Sequence, residues 1–156
     1  MKISLKWVNE FLDVEIKNLD FLIEKLTLGG FEVEEILEVT INGQNSITLD
    51  VSATANRPDS LSIQGIAKEI SALINEPYRV SSFLANSNYI REILFQNATI
   101  LTEESEYEFF SSLVVNNLTQ ITIPQWLKNK LISSDITVTD SLLDLQNYLL
   151  IETGYP

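Results

Sequence analysis

The chain has 156 residues, 45% of them hydrophobic, a net charge of −12, and neither cysteine nor histidine. Disulfides, thiolate metal sites, thiol nucleophiles and any Ser-His or Cys-His catalytic pair are thereby excluded, and the commonest general base and metal ligand is missing. The acidic surplus favours solubility and repels a polyanion over the surface as a whole, since the basic residues are scattered, with small groups only at Lys2/Lys6 and Lys128/Lys130.

The opening Met1–Lys6 lacks the apolar stretch and cleavage site of a signal peptide and the Arg- and Ser-rich character of a transit sequence. Ser4–Asp13 reads as a first helix, with Trp7, Val8, Phe11 and Leu12 on one face. Asn18 is placed to cap a second helix that turns Leu19, Leu22, Ile23 and Leu26 inward, and Gly29–Gly30 suits its end. Phe31–Val39 reads as a strand whose alternation blurs at Glu35-Ile36-Leu37. Ile47, Leu49 and Val51 mark a second strand, and Asn42-Gly43 between the two is a tight-turn signal.

Next comes the run Asn56-Arg57-Pro58-Asp59-Ser60-Leu61-Ser62-Ile63-Gln64-Gly65-Ile66-Ala67-Lys68-Glu69-Ile70. Pro58 fixes its own φ and biases Arg57 away from the helical region. Asp59 and Ser60 are each suited to accept a bond from the free amides of a first helical turn. Ile63, Ile66, Ala67, Ile70, Leu73 and Ile74 then recur at helical spacing from Ser60 to about Asn75, where Pro77 helps to stop the helix.

Asn75–Asn88 is punctuated by Pro, Ser and Asn and holds no period. Ile93–Leu101 and Tyr107–Val115 read as strands around the acidic turn Glu103-Glu104-Ser105-Glu106. Ile123–Ile132 reads as a helix entered through Pro124, and Asp140 as the cap of a last helix from Ser141 to Thr153, closed by Gly154 and Pro156. The order ααββα, then ββαα, predicts an α+β chain in two pieces: residues 1–80, a linker at 81–89, and residues 90–156.

Several stretches resemble the β subunit of bacterial-type phenylalanyl-tRNA synthetases. The run from Asn56 is similar to the family signature Asn-Arg-Pro-Asp-Cys-Leu-Ser-Ile-x-Gly-Ile-Ala-Arg-Glu. Met1–Phe11 resembles the family N-terminus, Leu26–Glu34 its first helix-to-strand joint, and Pro124–Leu131 one of its helices. Leu143–Pro156 resembles Val-Asp-x-Thr-Asn-Tyr-Val-Met-x-Glu-x-Gly-Gln-Pro. Many bacterial members insert a tRNA-binding OB-like domain between the first strand and the Asn-Arg-Pro-Asp strand. Here too few residues separate Val39 from Ile47 for any domain, so the resemblance is to a reduced form, similar to plastid-encoded versions.

What the resemblance implies is an α+β platform over residues 1–80 and the start of an editing-type domain over 90–156. The family removes mischarged Tyr in a pocket lined in part by a Thr-Asn pair. Asn147 matches the Asn, but Gln146 stands where the family has Thr, and a bulkier amide should block the pocket or change its hydrogen bonding. Ser133–Ser141 lacks the family's Gly-Ile-Arg-Pro-Ile-Asn pattern, and no Leu-His-Ala-Phe-Asp run, with its editing His, follows Pro156. Gln146 and Asn147 are therefore expected to be a remnant of an editing pocket, with editing lost. The second half is a thin core. It is expected to be a fragment of a longer subunit or a truncated gene product, with Leu142, Leu143 and Leu149 packing on segments beyond this sequence.

No residue is assigned to catalysis, to cofactor binding or to a metal. Asn56, Arg57, Pro58 and Asp59 are read as a structural motif, with Arg57 paired to a carboxylate or carbonyl, since Asp59 would compete with a phosphate for the helix amides. The Glu32/Glu34/Glu35 and Glu103/Glu104/Glu106 groups are read as solvated, and Trp7 and Trp126 as core or interface anchors. The resemblance implies an (αβ)2 enzyme that attaches phenylalanine to tRNA(Phe) with ATP and Mg2+, its aminoacylation site on the α subunit, with no membrane partner. It implies a soluble protein of the plastid (chloroplast stroma), with the cytoplasm as alternative. The rival function is a stand-alone, non-catalytic acidic protein-interaction module.

Overall fold

Asn42 and Gly43 both sit at positive φ, 52° and 76°, the backbone that a two-residue hairpin turn needs to follow the twist of its strands. In this computed structural model, which describes residues 1–12, 18–79, 98–100, 111–113 and 122–155, that turn joins the two long strands of the fold. Strand β1 is Lys2–Ser4, β2 is Phe31–Ile41 and β3 is Gln44–Ala53. The sheet order is β1-β3-β2, antiparallel throughout, with Ile3 opposite Leu49 and Ile41 opposite Gln44. The register shifts between Val33 and Glu35, which is why the alternation of the sequence blurs there: a bulge turns the following side chains over. β2 runs directly into β3, so no domain is inserted between them.

The first helix is shorter than its periodicity predicts. α1 is Leu5–Val8; Lys2–Ser4 is drawn into the sheet, and Leu12 forms a bridge with Tyr78. Three residues are too few to carry a strand period, so β1 left no sequence signal. Trp7, Val8, Phe11 and Leu12 are all buried as the spacing requires. α2 (Leu19–Leu28) begins at Asn18, whose side chain accepts from the Phe21 amide at 3.0 Å. α3 (Ile63–Ile74) buries Ile63, Ile66, Ala67 and Ile70, and Asn75 ends it in the left-handed region. Helices α1 to α3 and the inner face of the sheet share one core, centred on Ile3, Trp7, Leu26, Leu49, Ile66 and Ile70. The order α1, α2, β2, β3, α3 is the expected ααββα, with β1 in front.

The chain divides differently from the expected 1–80 and 90–156. One compact unit contains Met1–Arg79 together with Ile121–Pro156; Val80–Gln120 forms the other. The return has a physical cause. α4 (Gln125–Ser133) and α5 (Leu142–Thr153) cannot bury their apolar faces alone, and they use the N-terminal part. Tyr148 stacks on Trp7 with ring centroids 5.5 Å apart, and the buried Thr48 hydroxyl donates to the Ser133 carbonyl at 2.7 Å. Pro124 precedes α4 as its cap residue rather than entering its first turn. In the second unit β4 (Ala98–Ile100) pairs antiparallel with β5 (Ser111–Leu113), Thr99 opposite Ser112. The rest of the two strands expected there, the acidic turn from Glu103 to Glu106 and the whole of the expected linker lie outside the described residues.

Candidate functional site

The Asn-Arg-Pro-Asp corner is built by a chain leaving β3 and turning into α3. The Arg57 amide donates to the Thr54 carbonyl at 2.9 Å, and Pro58–Ser60 makes one 3-10 turn. That turn uses up the residues expected to cap α3. The cap is instead Ser62, whose hydroxyl oxygen accepts from the Gly65 amide at 2.9 Å, while the Ser60 hydroxyl donates backwards to the Arg57 carbonyl at 2.8 Å. The turn and the helix approach so closely that a Cβ on Gly65 would stand 2.3 Å from the Asp59 carbonyl oxygen.

Arg57 binds the corner together. Its guanidinium donates to both Asp59 carboxylate oxygens at 3.2 and 3.1 Å, reaches Glu69 on α3, and lies 5.7 Å over the ring of Phe31 at the start of β2. The Arg57 hydrogen bond holds the Asp59 carboxyl below its usual range. One cation faces two carboxylates, so Arg57 is a strap between β2, the turn and α3.

A second constellation was not anticipated. Lys130 on α4 places its ammonium 4.9 Å over Trp7 and 5.5 Å over both Trp126 and Tyr148, an aromatic cage filled by the chain's own cation. The same ammonium donates to Glu10 at 2.6 Å and lies 3.7 Å from Glu152. Glu152 accepts from Trp7 Nε1 at 3.1 Å and from the Tyr148 hydroxyl. Burial first, and then the Glu152 carboxylate, push the Tyr148 phenol far above its ordinary value, so it stays a proton donor. The recoverable sequence signal was the i, i+4 spacing of Trp126 with Lys130 and of Tyr148 with Glu152. Trp7 is a core anchor, whereas Trp126 remains half exposed and sets its edge against Tyr148. Beside the cage lies a cleft of about 210 Å3, lined by Lys6, Gln44, Trp126 and Asn129 among others. Lys6 there donates to the Gln44 side chain at 2.9 Å.

Gln146 is exposed and Asn147 half-buried on α5, and neither lines this cleft. Asp144, three residues before Asn147, is fully covered. It and not Asp140 organises the entry to α5: Asp140 adopts a positive φ of 55°, Ser141 is the cap, and Asp144 accepts from the Thr139 and Asp140 amides and the Thr139 hydroxyl. Burial pushes the Asp144 carboxyl up, but bonds from Thr139, Asp140 and Ser141 outweigh it and hold the group below the usual carboxylate range. Its stabilising effect is therefore complete above the unfolded-state value of about 4 and is lost as the pH falls through the lower native value. Asp144→Asn is expected to lower the Tm at neutral pH and to flatten the acid-side fall of Tm below about pH 5. Parallel acid limbs for the two proteins in a thermal melt series would contradict this.

Glu32, Glu34 and Glu35 are exposed along β2, and among the described residues no group of three or more His, Cys, Asp or Glu is arranged to hold a metal ion. Among those residues no helix is long and apolar enough to cross a membrane. The ionic side chains of both constellations are spent on one another, which gives adhesion between elements and no poised acid, base or nucleophile.

No protein-family model matches the chain. Over all 156 residues it is 49% identical to the chloroplastic phenylalanine–tRNA ligase β subunit of Phaeodactylum tricornutum, covering 22% of that protein. It is 35% identical to the chloroplastic phenylalanine–tRNA ligase β subunit of Porphyra purpurea, over the whole chain and 21% of that protein. It is 30% identical to the phenylalanine–tRNA ligase β subunit of Oceanobacillus iheyensis, over 81% of the chain and 15% of that protein. The chain spans about a fifth of the length of the first two of these relatives.

Proposed function

Because the chain is homologous along its entire length to β subunits of phenylalanine–tRNA ligases, we propose that it serves as the N-terminal platform of such a subunit, with no reactive centre of its own. The observation that carries this reading is the 49% identity over all 156 residues. The geometry supports it: the Arg57 strap and the Lys130 cage use their charged side chains to hold elements together. The complete enzyme would be an (αβ)2 assembly charging tRNA(Phe) with phenylalanine, using ATP and Mg2+ bound outside this segment. The aminoacylation site would lie on the α subunit. The chloroplastic names of two relatives support a plastid location. Editing is proposed to be lost, since Gln146 stands in place of the family's Thr. The rival reading, a stand-alone acidic interaction module, draws no support from the comparisons.

Co-expressed with the α subunit and with β-subunit sequence corresponding to the rest of the relatives, the chain is expected to co-purify in a complex that charges tRNA(Phe). The purified chain alone is expected neither to catalyse phenylalanine-dependent ATP–pyrophosphate exchange nor to deacylate Tyr-tRNA(Phe). Failure to enter the complex, or turnover by the chain alone, would refute the reading.

A further inference from the structure

α5 carries apolar side chains on both sides. Its inner face sends Tyr148 and Ile151 into the core already described. Its outer face carries Leu142, Gln146 and Leu149 in one line at i, i+4, i+7, flanked by Leu145 and Leu150. The four leucines are 50%, 46%, 42% and 40% exposed at positions 142, 149, 145 and 150. The helix contains two charged residues, Asp144 and Glu152, and both are turned inward to the partners named above. The outer face therefore bears no formal charge in a chain of net charge −12. An uncharged, leucine-rich face has the character of a permanent interface rather than a transient one.

We propose that the outer face of α5 is the surface on which this segment docks the remainder of its β subunit, and that Gln146 sits at the centre of that interface. The proposal rests on the function proposed above. The occupant follows from two observations. The relatives carry this segment as about a fifth of a much longer polypeptide, so a large apolar partner is available to it. A second copy of the chain is disfavoured by repulsion between two bodies each of net charge −12. Once covered, the Gln146 amide needs hydrogen-bond partners, so the partner presents polar groups at that one point within an otherwise apolar contact.

The chain has no cysteine, so Leu149→Cys introduces a single reporter thiol on this face. Leu28→Cys on α2, where the native side chain is 73% exposed, serves as control. Maleimide labelling is followed by mass spectrometry at the level of single peptides. In the isolated chain both thiols are expected to react fast. In the complex with the α subunit and the rest of the β subunit, the thiol at 149 is expected to be protected at least roughly tenfold and the one at 28 unchanged. Leu149→Glu is further expected to leave the circular dichroism and Tm of the isolated chain unaltered and to reduce its recovery in the complex. Equal labelling at 149 in a complex that forms and charges tRNA overturns the docking surface and leaves the proposed function standing. Absence of any complex overturns both. Slow labelling at 149 in the isolated chain, or equal protection at 28 and 149 in the complex, likewise overturns the assignment to α5.

Discussion

Trp7→Ala is expected to cost about 3–5 kcal/mol of unfolding free energy, the range for removing a buried large aromatic side chain. The indole is 1% exposed and stacks on Tyr148 at 5.5 Å with its plane tilted by 2°. It also gives its N–H to Glu152 at 3.1 Å and a face to the Lys130 ammonium. Side chains of α4 and α5 meet on that ring, so its loss opens a cavity and weakens the seat of both helices together. Trp7→Phe keeps a ring for stacking and deletes the donor along with part of the indole volume, with an expected loss of roughly 1–3 kcal/mol. The second tryptophan, Trp126, remains as the fluorescence reporter in a urea titration of either variant. A loss under about 1 kcal/mol for Trp7→Ala would mean that α5 does not depend on this stack.

Gly65→Ala is expected to destabilise the protein although it improves helix propensity. In an exposed helix interior the change would gain about 1 kcal/mol. Here the new Cβ would meet the Asp59 carbonyl oxygen at 2.3 Å, the Ser60 Cα at 2.9 Å and the Ser62 hydroxyl oxygen at 3.0 Å. Two of those atoms are backbone and cannot rotate away, so the turn and α3 must separate and loosen the Arg57–Glu69 contact. The expected net loss is about 1–3 kcal/mol, the usual cost of overpacking. Ala72→Gly, at an exposed site on the same helix, is expected to lose about 1 kcal/mol by propensity alone. Chemical denaturation of the two variants separates close approach from propensity. A Gly65→Ala protein more stable than the parent would contradict the geometry of the corner.

The parts of this fold that could be read in advance are those fixed by neighbours in sequence. Asn18 caps α2, Asn42-Gly43 turns the hairpin, and the isoleucines of α3 face the core, because each needs only a side chain and a backbone a few residues away. The pairing of Arg57 with carboxylates was also legible, since Asp59 is two residues off. β1 was not, because three residues define no period. The late start of α3 was missed because Asp59, Ser60 and Ser62 are chemically equivalent caps, and only the 3-10 turn chooses between them. The return of residues 121–156 onto the N-terminal unit was beyond local reading. It depends on contacts such as Trp7 with Glu152, 145 positions apart. An apolar stripe states that a face must be covered and does not state by what. Gln146 illustrates the same limit: its exposure among Leu142, Leu145 and Leu149 on one face of α5 is read from the folded helix.

The hairpin tip has a further consequence. Ile41 and Gln44 lie side by side across the ladder, so the two chain ends at Asn42–Gly43 are about 5 Å apart. A junction of that kind can accept or shed a passenger module while every rung of the sheet keeps its partner, because only the closure entropy of the tip changes, and that varies slowly with length. The tip is a neutral port in the scaffold: what is plugged in there can differ between lineages without the body beneath it having to refold.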